Sequence, residues 1–157
     1  MVAIIHVIDP YDRHQGVLVP FLTPRVLKTA TERLTESDPA HFTRFVFSRV
    51  FNRDPALRLT AFVEGDALVG HAIASIEYDG VKPWVYISQL TLDPINVGDA
   101  RDRYINEIDS WAASLQVPTM LLVSPRKDEA LAKKHGFTVA RVILTRPVGA
   151  TGSREVA

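Results

Sequence analysis

The sequence predicts one α/β domain: a mixed, mostly antiparallel sheet with helices on both of its faces. Three observations carry that prediction. Residues 57–92 hold three strand-like runs separated by Gly65-Asp66 and Asp79-Gly80, which are tight-turn signals between apolar segments. Residues 99–115 place Tyr104, Ile105, Ile108, Trp111, Ala112 and Leu115 on one side of a helix, and a short apolar run, Met120 to Val123, follows Pro118. That strand–helix–strand step calls for a crossover with parallel neighbours, which makes the sheet mixed. Finally, two proline-opened helices stand between the first apolar run and the hairpin.

Taken in order, residues 1–8 are apolar and rich in β-branched side chains, and Asp9-Pro10 stops them, so the chain opens with a strand. Residues 17–22 suggest a short helix. Thr23-Pro24 reads as an N-cap followed by a first-turn proline, with the helix running to about Leu34. Ser37-Asp38-Pro39 repeats the signal and opens a helix to about Phe51. In it Phe42, Phe45, Val46 and Val50 form one apolar stripe, and Phe47 and Phe51 a second on a neighbouring face. One stripe belongs against the sheet; the other is either covered by the preceding helix or offered, through Phe47 and Phe51, to a protein partner. After Asp54-Pro55 come the strands: 57–64, 68–78 and 83–92, ended by Asp93-Pro94. Beyond the 99–115 helix and the 120–123 strand, Asp128 to Lys134 reads as a short helix closed by His135-Gly136, and Phe137 to Pro147 as a last strand. The domain is expected to span 1–148, with 149–157 a small polar tail.

Composition narrows the chemistry. A chain of 157 residues suits a single domain with a sizeable core. Without cysteine it has no disulfide, thiolate metal site or cysteine nucleophile, and it fits a reducing compartment or a virus particle. Eighteen basic residues balance eighteen acidic ones, so no global field gathers nucleic acid or anionic lipid. The apolar start lacks the basic flank of a signal peptide, and no run approaches the ~20 apolar residues that cross a bilayer. A soluble cytoplasmic protein is expected, with a virion component as the alternative. The histidines at 6, 14, 41, 71 and 135 show no metal-ligand spacing, and neither a phosphate-loop lysine nor a Gly-x-Ser-x-Gly elbow is present.

The element order from about residue 57 to 147 resembles the GNAT acyltransferase family. Gly65-Asp66-Ala67-Leu68-Val69-Gly70 looks like its second-to-third strand hairpin. Leu90-Thr91-Leu92-Asp93-Pro94 looks like the end of its fourth strand, and Lys134-His135-Gly136-Phe137 like its lysine-x-glycine-phenylalanine signature. The resemblance implies splayed central strands with acetyl-CoA between them. Its pantetheine arm would pair with backbone groups of Leu90, Thr91 and Leu92, a β-augmentation by a small molecule. The pyrophosphate would sit on the next helix N-terminus, over a turn that here reads Val97-Gly98-Asp99-Ala100-Arg101. Two registers fit: Gly98 and Ala100 take the family's glycine positions, with Ile95 at its basic or amide position, or spacing from Pro94 puts Val97 and Asp102 there. Asp99 and Asp102 also read as helix N-terminal residues of capping type. Arg101 and Arg103 would offset their charge if turned inward. Arg126, Lys127, Lys133 and Lys134 place cations around the family's fourth helix, near where the cofactor's distal phosphate would lie.

The implied activity is N-acetyl transfer from acetyl-CoA to an amine, with no metal. The family's general-acid tyrosine falls at Ala132, so proton removal rests on Glu77, Ser88, Gln89 or Ser124 as base or water holder. Ser88 and Gln89 point to opposite faces, so only one of them can reach a given site. The other reading of this fold is a catalytically silent structural or interaction module, for example in a bacteriophage virion. His71 reads as a structural histidine and His135 as a solvent-facing one.

Overall fold

The computed structural model describes residues 1–32, 38–122 and 133–138. Strand β1 (Ala3–Val7) leads into a four-residue helix, α1 (Arg13–Gly16), then α2 (Val19–Glu32) and α3 (Pro39–Phe51). Strands β2 (Leu57–Glu64), β3 (Ala67–Tyr78) and β4 (Pro83–Leu92) follow, then a 3₁₀ turn at Pro94–Asn96, α4 (Ala100–Ser114) and β5 (Met120–Leu122). The sheet order is β1-β2-β3-β4-β5, antiparallel except for the parallel β4–β5 pair. The crossover through α4 therefore returns beside the strand it left, as expected.

Alternation along the strands builds two cores. Leu59, Ala61 and Ile73 face α2 and α3, where Leu22, Val26, Val46, Phe47 and Val50 are buried. Phe62, Ala72, Ala74, Val85 and Ile87 face α4, where Tyr104, Ile105, Ile108 and Ala112 are buried. A residue period of two feeds one set to each side, which is why neither helix layer could be lost without exposing a sheet face.

Two helix expectations are corrected. Thr23-Pro24 does not begin α2. The helix starts at Val19, carries Pro24 inside it, and the Thr23 hydroxyl donates to the Val19 carbonyl at 2.8 Å. Leu22 and Val26, one turn apart and both fully buried, need that continuity. In α3, Phe45 is exposed, whereas Phe47 is core beside Val46 and Val50. Phe47 is thus not a partner contact. Phe51 is exposed, with Tyr11 edge-on to it at 5.9 Å. The start of α3 is as read: Asp38 accepts from the His41 amide at 3.0 Å, just ahead of Pro39. The expected elements after Leu122, apart from Lys133 to Thr138, lie outside the described residues. Of these, residues 133–135 are helical and Phe137 packs on the α4-side core.

Candidate active site at the end of the fourth strand

The parallel ladder pairs Val85 with Met120, Tyr86 with Leu121 and Ile87 with Leu122. The described β4–β5 pairing ends at Ile87 with Leu122, and residues 123–132 lie outside the described ones. That end falls where the β3–β4 register slips. Ile73 pairs with Gln89 and Ala74 with Ile87, leaving Ser88 as the extra residue of a β-bulge. On its other side this half of β4 is gripped closely by β3. A Cβ on Gly70 would lie 2.4 Å from the Thr91 carbonyl oxygen, so only glycine permits that approach. Leu90 and Leu92 turn toward the α4-side core, and Thr91 toward α2.

The strand then runs into the α4 N-terminus. Gly98 has φ of +40°, the left-handed region that makes glycine the natural residue in this turn. Ala100 is buried and its amide donates to the Val97 carbonyl at 2.9 Å, and Arg103 makes the bond to Asp99. As at any helix start, the first amides of α4 point out of its N-terminus. Ala100 is buried next to left-handed Gly98, and Ile95 is exposed.

Both acidic residues here are neutralised by neighbours. Asp99 makes no capping bond, contrary to its reading as a cap, and pairs with Arg103 at 3.3 Å. Arg103 also donates to the Val2 carbonyl at 2.7 Å, so it points along the edge of the sheet. Asp102 receives His135 at 2.8 Å and Lys134 at 2.5 Å, and these contacts hold its carboxyl below the usual range, His135 contributing most. The expectation that His135 faces solvent is therefore corrected: its side chain turns in to Asp102. Lys134 is likewise committed to Asp102, while Lys133 is exposed.

The catalytic candidates separate in space. Glu77 pairs with Trp84 across the β3–β4 ladder, at the opposite end from Leu90–Leu92, and meets Arg49 at 3.3 Å. Ser88 is buried at the bulge, and Gln89 is fully buried on the α2 side. Ser124, Ala132, Arg126 and Lys127 lie outside the described residues.

What sequence reading missed is a chain of side chains around Gln89. His71 Nε2 lies 2.6 Å from Gln89 Oε1, and Thr91 Oγ1 lies 2.9 Å from His71 Nδ1. Gln89 Nε2 donates to the Val26 carbonyl of α2 at 3.3 Å. Nearby, Arg25 of the same helix reaches Asp93 at 3.0 Å and ties α2 to the end of β4. A polar residue at a core-facing strand position was the available signal: His71 between Gly70 and Ala72, and Gln89 before Leu90. Among the described residues there is no cluster of three metal-ligating side chains, and no helix is long and apolar enough to cross a membrane.

No family model matches the sequence, and no curated protein does. Solved structures do match the fold. One described as a predicted acetyltransferase with acetyl-CoA, from Clostridium acetobutylicum, superposes with a TM-score of 0.65 at 16% identity, covering 92% of this chain and 96% of that one. Glucosamine-6-phosphate N-acetyltransferase from Arabidopsis thaliana gives 0.65 at 11%, covering 94% and 99%. An aminoglycoside acetyltransferase from an uncultured soil sample, in complex with sisomicin, gives 0.60 at 14%, covering 96% and 97%. The chain has the GNAT fold, in a divergent sequence.

Proposed function

We propose that the chain is an acetyl-CoA-dependent N-acetyltransferase whose cofactor lies along the Leu90–Leu92 end of β4. The observation that carries this reading is the fold match to acetyltransferase structures, one of them with acetyl-CoA, together with a β4 that runs from the Ser88 bulge into the α4 N-terminus. Leu90, Thr91 and Leu92 would offer backbone donors and acceptors on the β5 side to a ligand. The pantetheine amides would take up that edge. The pyrophosphate would follow onto Val97, Gly98, Asp99, Ala100 and Arg101, where the positive end of the helix dipole favours an anion. Pairing of Asp99 with Arg103, and of Asp102 with Lys134 and His135, removes the electrostatic objection to a phosphate there.

In this reading the amine attacks the thioester carbonyl, the new C–N bond forms, the C–S bond breaks, and coenzyme A leaves as a thiolate. The strand's backbone amides polarise the carbonyl oxygen as charge develops on it. The amine's surplus proton goes to a base or water at this part of β4, held by Gln89 on its α2 side or by Ser88 at the bulge; Glu77 is separated by the length of the ladder. Similarity to a structure with acetyl-CoA and to one holding sisomicin supports the cofactor and the amine class.

The test is ligand-linked stability. Acetyl-CoA that binds only the native state raises the melting temperature by mass action, about 2.7 kcal/mol at a hundredfold excess over Kd. A clear, saturable upward shift with acetyl-CoA and release of free thiol on adding an amine are expected. Unchanged melting at millimolar acetyl-CoA overturns the reading.

A further inference from the structure

Arg58 of β2 and Glu107 of α4 face one hollow and do not pair across it. The hollow is open, about 530 Å³ in volume, and lies on the α4 side of the sheet beside the edge strand β1. Small-ligand sites run to roughly 300–1,000 Å³. The Arg58 guanidinium lies over the Trp111 ring at 4.6 Å, and no acceptor among the described residues receives its N–H groups. Burial pushes its pKa down, yet a guanidinium stays charged, so a partly dried cation is left with open donors. Glu107 has His6 Nε2 at 3.6 Å, too long for a hydrogen bond, and its carboxylate is half-exposed. Ser110 and Ser114 line the same hollow. Their hydroxyls donate to the carbonyls of Asn106 and Trp111, at 3.1 and 2.6 Å, so they present lone pairs to it. One wall therefore donates and carries a positive charge, and the other accepts and carries a negative one.

We propose that this hollow binds a free α-amino acid, with its carboxylate on Arg58 and its ammonium on Glu107. Glu107 and Trp111 are neighbours on one face of α4, a single helix turn apart, ~5–6 Å between their Cβ atoms. The Glu107 carboxylate and the guanidinium stacked on the Trp111 ring therefore stand about one turn from each other. An α-amino acid carries both of its charges on one carbon and closes that gap with a charge-assisted hydrogen bond at each end. The serine lone pairs take up the remaining ammonium hydrogens. A simple anion would meet the Glu107 charge as well as Arg58, and a simple amine would meet Arg58 as well as Glu107, so each is disfavoured by the opposite wall. The hollow is separate from the proposed cofactor path. Arg58 pairs with Ala74, which pairs with Ile87, so β3 stands between it and β4, and the core beneath α4 fills the space between. The inference does not depend on the acetyltransferase reading.

Binding is measured on the full chain without acetyl-CoA, so that no acyl transfer intervenes. Each of the common L-amino acids is titrated to millimolar levels into the 15N-labelled protein, and the Arg58 Nε–H and Trp111 indole N–H signals are followed. At least one amino acid should shift both signals saturably. For that amino acid, R58Q and E107Q should each weaken binding about tenfold or more, the scale of one lost charge-assisted hydrogen bond. Glu107 is an exposed helix position, so E107Q keeps the test intact if R58Q fails to fold. The methyl ester of the same amino acid lacks the carboxylate, and its N-acetyl derivative lacks the ammonium; both should bind about tenfold more weakly or worse. No shift with any amino acid overturns the proposal. Undiminished binding of the N-acetyl derivative, which makes the hollow a carboxylate site, overturns it too. The same holds for undiminished binding of the ester, which makes it an amine site, and for unchanged affinity in E107Q.

Discussion

His71 and His6 are both drawn into the interior, on opposite sides of one sheet, and they are held in different ways. His71 has a hydrogen-bond partner on each ring nitrogen, from Gln89 and Thr91, and both contacts lie between neighbouring strands. His6, on the edge strand β1, has Thr60 Oγ1 at 2.8 Å on Nδ1, while Nε2 looks toward Glu107 at 3.6 Å. Next to it Arg58 lies over the Trp111 ring at 4.6 Å, itself desolvated, and the fully buried Tyr104 hydroxyl is pushed up by burial. His6, Arg58, Glu107 and Trp111 line an open hollow of about 530 Å³. The difference is one of purpose. Around His71 both ring nitrogens meet side chains of the neighbouring strand, which specifies a geometry. Around His6 the polar groups are tolerated at the rim of the core, and the histidine stays there by remaining neutral.

The largest test of that contrast is to break the ordered chain in its middle. Replacing Gln89 by Leu keeps the volume roughly but removes the Gln89 oxygen that faces His71 Nε2 in the interior, while the Val26 carbonyl keeps its helical bond. A buried group that loses its partner costs about 1–3 kcal/mol, so Q89L should lose about 2 kcal/mol in urea unfolding. A loss well under 1 kcal/mol would mean that the chain is ornamental and that His71 is held by packing.

The edge-strand histidine makes a pH prediction instead. Desolvation first and the Arg58 charge second lower its pKa from 6.5 to about 4. Between those values the unfolded chain holds a proton that the folded chain does not, so acid favours unfolding there. Stability should be level above pH 6.5 and should fall through the window down to about 4. At about 1.4 kcal/mol per unit the full drop approaches about 3 kcal/mol, reduced by whatever attraction Glu107 gives the imidazolium. H6Q should flatten that slope while leaving the neutral-pH stability close to wild type, since Gln can still reach Thr60. A slope unchanged in H6Q would assign the acid sensitivity elsewhere.

These contrasts also mark where the sequence was legible. Strands 57–64 and 83–92 and the Asp38-Pro39 helix start were readable because local chemistry decides them: turn residues, a cap, alternation. Thr23-Pro24 was misread because a Thr-Pro pair inside the first turns of a helix carries the same letters as a start; only the burial of Leu22 with Val26 separates the two. In α3, Phe45 and Phe47 are equally apolar in sequence, and it is the position of α2 against the sheet that buries one and exposes the other. The His71–Gln89–Thr91 chain was not expected, because its links join residues 18 and 20 apart through a bulge that shifts the pairing. A bulge has no reliable letter code, so Ser88 and Gln89 could be named as candidates while their neighbours could not.

The smallest expected effect tests the other end of the cofactor path. Asp102 in the first turn of α4 joins two segments distant in sequence, through His135 and Lys134. Its lowered pKa means that the folded state favours the carboxylate. The associated stability is present above the ordinary value of 3.8 and is lost as pH falls through the lower folded value. The contact is near the surface and open to salt, so D102N should cost only about 0.5 kcal/mol at neutral pH. The wild-type advantage should shrink in high salt and vanish in strong acid. Amide exchange should rise at Lys134 to Phe137, which lose their tie to α4, and not at Gln89 to Leu92, whose order depends on the buried chain. If D102N instead loosened the β4 end, the two polar systems would be coupled through the core, and the separate roles assigned to them would have to be merged.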